Sequence, residues 1–291
     1  MPDVTRVTNG TLLSRRNLLA GAIVSAVGIA LVRCGADASG HAAPPPAGPP
    51  AAALPTAPLW PELLPAPPPQ ARIPLPGGGV LSELPGPGDL LSLTLDDGVD
   101  TGVVRAYAQL AKDTGIRLTM FVTGVFSSWT DNRDVLQPLV DSGQIQLGNH
   151  TWVHPDLTKL TGSRIADELR HTDQFIRDTF GVDATPYYRP PYGAYNDLVQ
   201  SVAADLGYTQ TALWDGNIGD DQILAPRDIV ANADQYYVPQ KIVIGHLNHP
   251  PVTGVYHELV DIIHDRRLRT VTLNDVFTKP EASRLTSAYP I

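Results

Sequence analysis

One cysteine in 291 residues excludes an internal disulfide framework and any zinc site built from several thiolates. Basic residues are scarce too: 21 Lys and Arg against 30 Asp and Glu give a net charge of −9. A chain this acidic has no positive field to collect phosphates, which argues against a nucleic-acid partner. The leading apolar run, Leu18 to Val32, is fifteen residues long, short of the roughly 20 that span a bilayer. No internal repeat with a period of 20–50 residues is visible, so a solenoid or propeller is not expected. What is present is histidine, eight in all, and proline, 28 in all and clustered. Imidazole is therefore the natural metal ligand if there is a metal.

Residues 1–38 read as an address rather than as structure. Ser14-Arg15-Arg16-Asn17-Leu18-Leu19 is a twin-arginine pattern ahead of the apolar run, as in a bacterial export signal for folded proteins. Ala36-Asp37-Ala38 offers a cleavage site. Leu31-Val32-Arg33-Cys34 resembles a lipobox with arginine where a small residue belongs, which keeps lipidation at Cys34 as an alternative. Residues 39–71 are rich in alanine and proline, with twelve prolines between Pro44 and Pro69. Such a segment is expected to be an extended spacer, either a tether to membrane or wall or a passive leader. A globular domain is expected over 72–280, followed by a short tail, 281–291. Nothing demands more than a monomer.

Within the domain, short apolar runs alternate with helical patterns. Strands are predicted at Leu90–Leu95, Arg117–Thr123, Gln144–Leu147, Pro186–Tyr188, Thr209–Leu213, Lys241–Ile244 and Thr270–Leu273. Helices are predicted over 102–113, 134–142, 163–180, 197–206, 226–234 and 256–266. Strands interleaved with helices imply a parallel sheet, and the chain length suits an incomplete, distorted (β/α)7 barrel. The residues that end the strands are Asp96-Asp97-Gly98, Asn149-His150, Arg189-Pro190-Pro191-Tyr192-Gly193, Trp214-Asp215 and His246. The carboxyl ends of barrel strands share one face, the one that carries chemistry.

Adjacent Asp96 and Asp97 would point to opposite faces of a continuing strand, so a break at Gly98 is needed to turn both to one place. His150 and His154 lie in a stretch flanked by Gly148-Asn149 and Pro155, which predicts a loop with both rings on one ion. Zinc accepts two imidazoles and a carboxylate, leaving a position for water; one of Asp96 and Asp97 would complete the set. The two prolines fix a rigid turn, whose next amide donors, those of Tyr192 and Gly193, are placed to hold an oxyanion. Arg189 can grip a carboxylate as a planar fork. His246, directly off a strand end, is the favoured proton donor to a leaving group, with His249 its rival. Trp152, Tyr192, Tyr195 and Trp214 are candidate sugar contacts.

Together these residues resemble the polysaccharide deacetylases, the NodB-like family 4 carbohydrate esterases. The resemblance spans about Leu90 to Phe277. The family's Thr-Phe-Asp-Asp-Gly reads here as Thr94-Leu95-Asp96-Asp97-Gly98; His-Ser/Thr-x-x-His matches at His150–His154; Arg-Pro-Pro-Tyr-Gly matches at 189–193; Leu-x-His becomes Ile244-Gly245-His246. The fourth motif departs: where the family has Asp-Trp, this chain has Asp220-Asp221, which leaves Trp214 as the aromatic wall and substrate contact. The resemblance implies a divalent ion, zinc or else Co2+ or another, on Asp97, His150 and His154. It implies Asp96 as base, held by Arg189; His246 as acid; Asp220 as the acid's supporting carboxylate; and the Tyr192 amide at the oxyanion. The implied substrate is an acetylated polysaccharide, with N-deacetylation of peptidoglycan or chitin-like glycan favoured. An O-acetyl esterase on xylan-type glycan and a non-catalytic glycan-binding module are the alternatives.

Overall fold

The computed structural model describes residues 60–278; the expected signal at 1–38, most of the spacer, and the tail at 281–291 lie outside the described residues. The strands are β1 (Ile73–Pro74), β2 (Gly79–Leu81), β3 (Leu90–Asp97), β4 (Leu118–Val122), β5 (Ile145–Asn149), β6 (Tyr187–Tyr188), β7 (Gln210–Ala212), β8 (Gly216–Asn217), β9 (Lys241–His246), β10 (Arg269–Thr270) and β11 (Phe277–Thr278). The helices are α1 (Thr101–Thr114), α2 (Ser128–Asp131), α3 (Arg133–Asp141), α4 (Gly162–Phe180), α5 (Asp197–Asp205), α6 (Pro226–Tyr236), α7 (Tyr256–Asp265) and α8 (Leu273–Val276). The main sheet runs β2-β7-β6-β5-β4-β3-β9-β8, with β10 also on β3. Its pairings are parallel. β2 and β8 are the two ends of that order and do not pair with each other, so the barrel is incomplete, as expected.

Period-2 alternation sorts the strand residues. Leu91, Leu93 and Leu95 of β3 join the larger core under the helices, while Phe121, Tyr187, Ala212 and Ile242 form a second core inside the sheet's curve. Between them on β3, Ser92, Thr94 and Asp96 fall on the inner side by the same alternation. Local signals set the helix bounds. Asp100 caps α1 by accepting from the Val103 N–H at 2.9 Å, and Gly115 closes it at φ 76°. Pro226 opens α6, where its missing N–H costs nothing.

Three expectations need correcting. The strand predicted over 270–273 is only Arg269–Thr270, because Thr272 makes a capping box with Asp275 and turns the chain into α8. The short strands β2 and β8 escaped prediction; at two or three residues, each with a glycine, they carry no readable period. The spacer end is not free: Trp60 stacks on His257 with ring centroids 4.0 Å apart, Leu63 packs on the core, and Arg269 donates to the Pro65 carbonyl at 3.1 Å. Folded chain thus begins before Arg72.

Register levels the strand ends that bear the polar residues. His246 pairs with Asp96, Asp97 with Val122, Val122 with Asn149, and Asn149 with Tyr188. Gly148 lies opposite Phe121, and a Cβ there would sit 2.5 Å from that ring. Replacing Gly148 with alanine should therefore push Phe121 aside and cost about 1–3 kcal/mol, read as a Tm lower by about 2–4 °C per kcal/mol in thermal unfolding.

Candidate active site

Arg189 occupies the centre of the strand-end face and has no exposed surface. Its Nη1 donates to Asp96 Oδ1 at 2.7 Å and to Thr94 Oγ1 at 2.9 Å; Nε and Nη2 donate to the carbonyls of Ala212 (2.9 Å) and Leu213 (3.1 Å). The guanidinium lies 4.2 Å from the Phe121 ring centre and 5.4 Å from that of Trp214. Burial pulls its pKa down and Asp96 opposes this; a guanidinium stays charged in either case. Asp96, nearly as buried, is thereby fixed with Oδ2 3.5 Å from His150 Nε2.

Asp97 would face the helices if β3 continued in ordinary pleat. Instead it takes φ 75°, followed by Gly98 at 100°, and both carboxylates reach the same cleft. The break thus begins at Asp97 itself, one residue before the expected glycine. Thr151 (72°), His154 (59°) and Tyr192 (61°) are left-handed as well. Such conformations persist only where the surroundings over-determine them, and they concentrate at functional sites.

The His150–His154 stretch is a loop, as expected, and its backbone is pinned. The Thr151 N–H donates to Asn149 Oδ1 (2.9 Å) and the His154 N–H to Thr151 Oγ1 (3.1 Å), while the Trp152 and Val153 amides both donate to Glu168 Oε2 (2.8 and 2.9 Å). His150 Nδ1 lies 2.7 Å from the Arg189 carbonyl. A carbonyl can only accept, so Nδ1 carries a proton, and in the neutral imidazole the lone pair lies on Nε2. That Nε2 is 3.5 Å from Asp97 Oδ1, and His154 Nε2 is 3.4 Å from the same oxygen.

One ligand atom from each of Asp97, His150 and His154 falls within 4.8 Å of the others. Burial pushes the Asp97 carboxyl up, but facing His150, an Asn248 hydrogen bond of 2.7 Å and His154 outweigh it and hold it below the ordinary aspartate value. Burial and neighbouring His150 hold His154 below the ordinary 6.5. An ionised carboxylate and two imidazole lone pairs are the donor set of a zinc site with an open position, so these residues fit such an ion.

On the facing wall, His246 Nδ1 lies 3.1 Å from Asp220 Oδ1. Burial lowers the His246 pKa, yet the Asp220 hydrogen bond and the charges on Asp96, Asp220 and Asp97 more than offset it, leaving the imidazole above 6.5. Asp220 is buried, so its carboxylate serves His246 rather than solvent. His249 Nε2 lies 3.3 Å from the Asp221 carbonyl, and His249 does not line the cleft. The cleft, about 450 Å³, is lined among others by Asp96, Asp97, His150, His154, His246 and Trp214.

Tyr192 is 71% exposed at the rim, with its ring edge-on to His154 at 4.8 Å. Of the two expected oxyanion amides, that of Gly193 is committed to the Pro190 carbonyl at 3.0 Å, leaving that of Tyr192. Trp152 is not at the cleft: it packs on Phe175 and His171. Tyr195 does not line the cleft either. Residues the sequence reading passed over include Asn248, on Asp97; Thr94, on Arg189; and Glu168, on the histidine loop. Thr94, inside the Thr94–Gly98 motif, and Asn248, two residues past His246, stood near recognised features; Glu168 did not.

The family model for polysaccharide deacetylase matches residues 84–211. The peptidoglycan-N-acetylmuramic acid deacetylase PdaA of Bacillus subtilis is 34% identical over 122 residues, 42% of this chain and 45% of the relative. A chitin deacetylase of Arthroderma benhamiae is 29% identical over 201 residues, 66% of this chain and 53% of the relative. The chain thus spans about half the length of these curated relatives. Among solved structures, the chitin deacetylase of Colletotrichum lindemuthianum superposes with a TM-score of 0.63 at 23% identity, over 72% of this chain and 96% of that one. A family 4 carbohydrate esterase pseudoenzyme of Bacillus anthracis gives 0.61 at 18%, over 69% and 70%.

Because the Asp220 hydrogen bond opposes burial at His246, Asp220→Asn should lower the imidazole pKa below its wild-type value. Titration of the His246 ring protons by NMR reads this directly, and an unmoved pKa would contradict it. Fold, strand-end residues and matched segment agree: over residues 84–211 the chain is similar to the polysaccharide deacetylases.

Proposed function

We propose that the domain is a metal-dependent hydrolase that removes N-acetyl groups from N-acetylglucosamine-containing polysaccharide. The observation that carries this is the division of one cleft into two chemically opposite walls: Asp96 ion-paired to Arg189 and a low-pKa Asp97 with neutral His154 on one side, and a proton-retaining His246 on the other. Asp97, His150 and His154 would hold the divalent ion, zinc by preference for two imidazoles and a carboxylate. When bound, it lowers the pKa of a water and polarises a carbonyl.

The chain's own residues divide the remaining work. Asp96, oriented by its 2.7 Å contact with Arg189, takes the proton of the attacking water. The Tyr192 N–H stabilises the oxyanion that develops on the acetyl carbonyl. His246, its Nδ1 held by Asp220, delivers a proton from Nε2 to the departing nitrogen. An amine leaving group needs that proton more than an alkoxide does, and a supported, elevated His246 therefore favours N- over O-deacetylation. Trp214 and Tyr192 line the cleft where a sugar ring would stack. The non-catalytic reading draws on Asp221 in place of the family tryptophan and on the likeness to a pseudoenzyme; the Asp220–His246 pair supports catalysis instead. We further propose export by the twin-arginine segment and action at the bacterial cell envelope.

The test is acetate release by the full chain from acetylated chitooligosaccharides, peptidoglycan and O-acetyl xylan. Release should disappear with a chelator and return with zinc. Asp96→Asn and His246→Ala should each lower kcat by about 10²–10⁴. The pH profile should be bell-shaped, with its alkaline limb, where His246 loses its proton, above the ordinary imidazole value of 6.5. No release from a folded, zinc-loaded chain would overturn the hydrolase reading in favour of the binding module.

A further inference from the structure

The turn that carries Asp97 is held from outside the cleft. Asp97 at φ 75° and Gly98 at φ 100° rotate the chain end of β3, and this rotation swings the Asp97 carboxylate from the helix side towards His150 and His154. For a residue with a Cβ this backbone is costly, and aspartate adopts it only occasionally. Two consecutive side chains of α2 supply the constraint. Trp129 Nε1–H is shared between the carbonyls of Asp97 and Thr123, at 3.2 Å from each, and the Ser128 hydroxyl donates to the Gly98 carbonyl.

Trp129 has no exposed surface. Its ring lies so close over Gly98 that a Cβ there would be 2.6 Å away, so only glycine admits the contact. The helix is itself fastened: Asn132 Nδ2 donates to the Ser128 carbonyl at 3.0 Å and to the Thr101 carbonyl at 2.9 Å, just beyond the turn. Neither Ser128 nor Trp129 lines the cleft.

We propose that Ser128 and Trp129 are positioning residues for the metal-binding carboxylate, clamping the Asp97-Gly98 turn in its left-handed form; this rests on the metal reading above. Without the indole N–H, the Asp97 and Thr123 carbonyls keep only their backbone donors, the N–H groups of Thr123 (3.1 Å) and Phe126 (3.5 Å), and the Asp97 turn loses a side-chain contact that holds its rotation. The carboxylate then no longer stays with the two histidines. The effect reaches the ion through geometry alone, since neither side chain touches it.

The experiment uses the full chain with Trp129→Phe, which keeps an aromatic ring and deletes the N–H. Zinc affinity is measured by competition against a chromophoric chelator, with Tm recorded on the metal-free form. Acetate release is measured at limiting and at saturating zinc. Expected are zinc binding about tenfold weaker, in line with the loss of supporting contacts around a metal site, and release that recovers as zinc is raised. Ser128→Ala should shift zinc affinity in the same direction by less, and it decides the matter if Trp129→Phe does not fold. Zinc affinity within twofold of wild type in the folded variants overturns the proposal, as does a loss of release that saturating zinc fails to restore. A wild-type chain that binds no zinc overturns the metal reading beneath it, an outcome separate from any difference between variants.

Discussion

A fully buried ion pair organises the strand-end face. Arg189 and Asp96 are both out of solvent, 2.7 Å apart, and separating charges from water is costly unless every remaining donor is satisfied. The structure goes most of the way to that condition: the carbonyls of Ala212 and Leu213 and the Thr94 hydroxyl take three of the four remaining guanidinium hydrogens. The Arg189 carbonyl in turn fixes the tautomer of His150. One side chain therefore ties β3, the end of β6 and the end of β7 together, and positions both the Asp96 carboxylate and one imidazole. Removing either charge would strand the other in the interior, a loss of about 3–5 kcal/mol.

Around that pair, unfavourable backbone is concentrated where side chains must converge. Asp97, Thr151, His154 and Tyr192 are left-handed without being glycine, and each lies in a turn off a strand end. A pleated strand sends neighbours to opposite faces, so bringing Asp96 and Asp97, or His150 and His154, to one point requires leaving that geometry. The constraint is applied by groups away from the cleft: Trp129 on the carboxylate turn and Glu168 on the histidine loop. Rigid placement of this kind distinguishes a preorganised site from a chance cluster of polar residues.

The His246 side is built differently. His246 stays on its strand and draws its character from a partner 26 residues earlier, Asp220. Asp220 fits because Gly245 leaves room: a Cβ there would approach Asp220 Oδ2 to 3.3 Å and Leu95 and Ile218 more closely still. The departure at the fourth motif therefore spares the supporting carboxylate and alters the outer wall, where Trp214 and Asp221 line the cleft.

The sequence by itself determined the strand ends and their chemistry. Alternating apolar runs stopping at Asp96-Asp97-Gly98, His150, Arg189 and His246 sufficed to expect a parallel barrel with a polar face, because strand period and breakers are local properties. It also carried the loop character of His150–His154 through its flanking glycine and proline. It left the choice between Asp96 and Asp97 as ligand open except by resemblance, and it gave no sign of Asn248, Glu168 or the Trp129 contact. Nor did it reveal that the Gly193 amide is spent within its own turn, that Trp152 faces α4, or that the proline-rich segment is packed from Trp60 onward. Those facts depend on register and on contacts between residues up to 204 positions apart, which no local period encodes. Only the tertiary structure, by setting neighbouring strands level and rotating single residues out of the pleat, decided which groups meet.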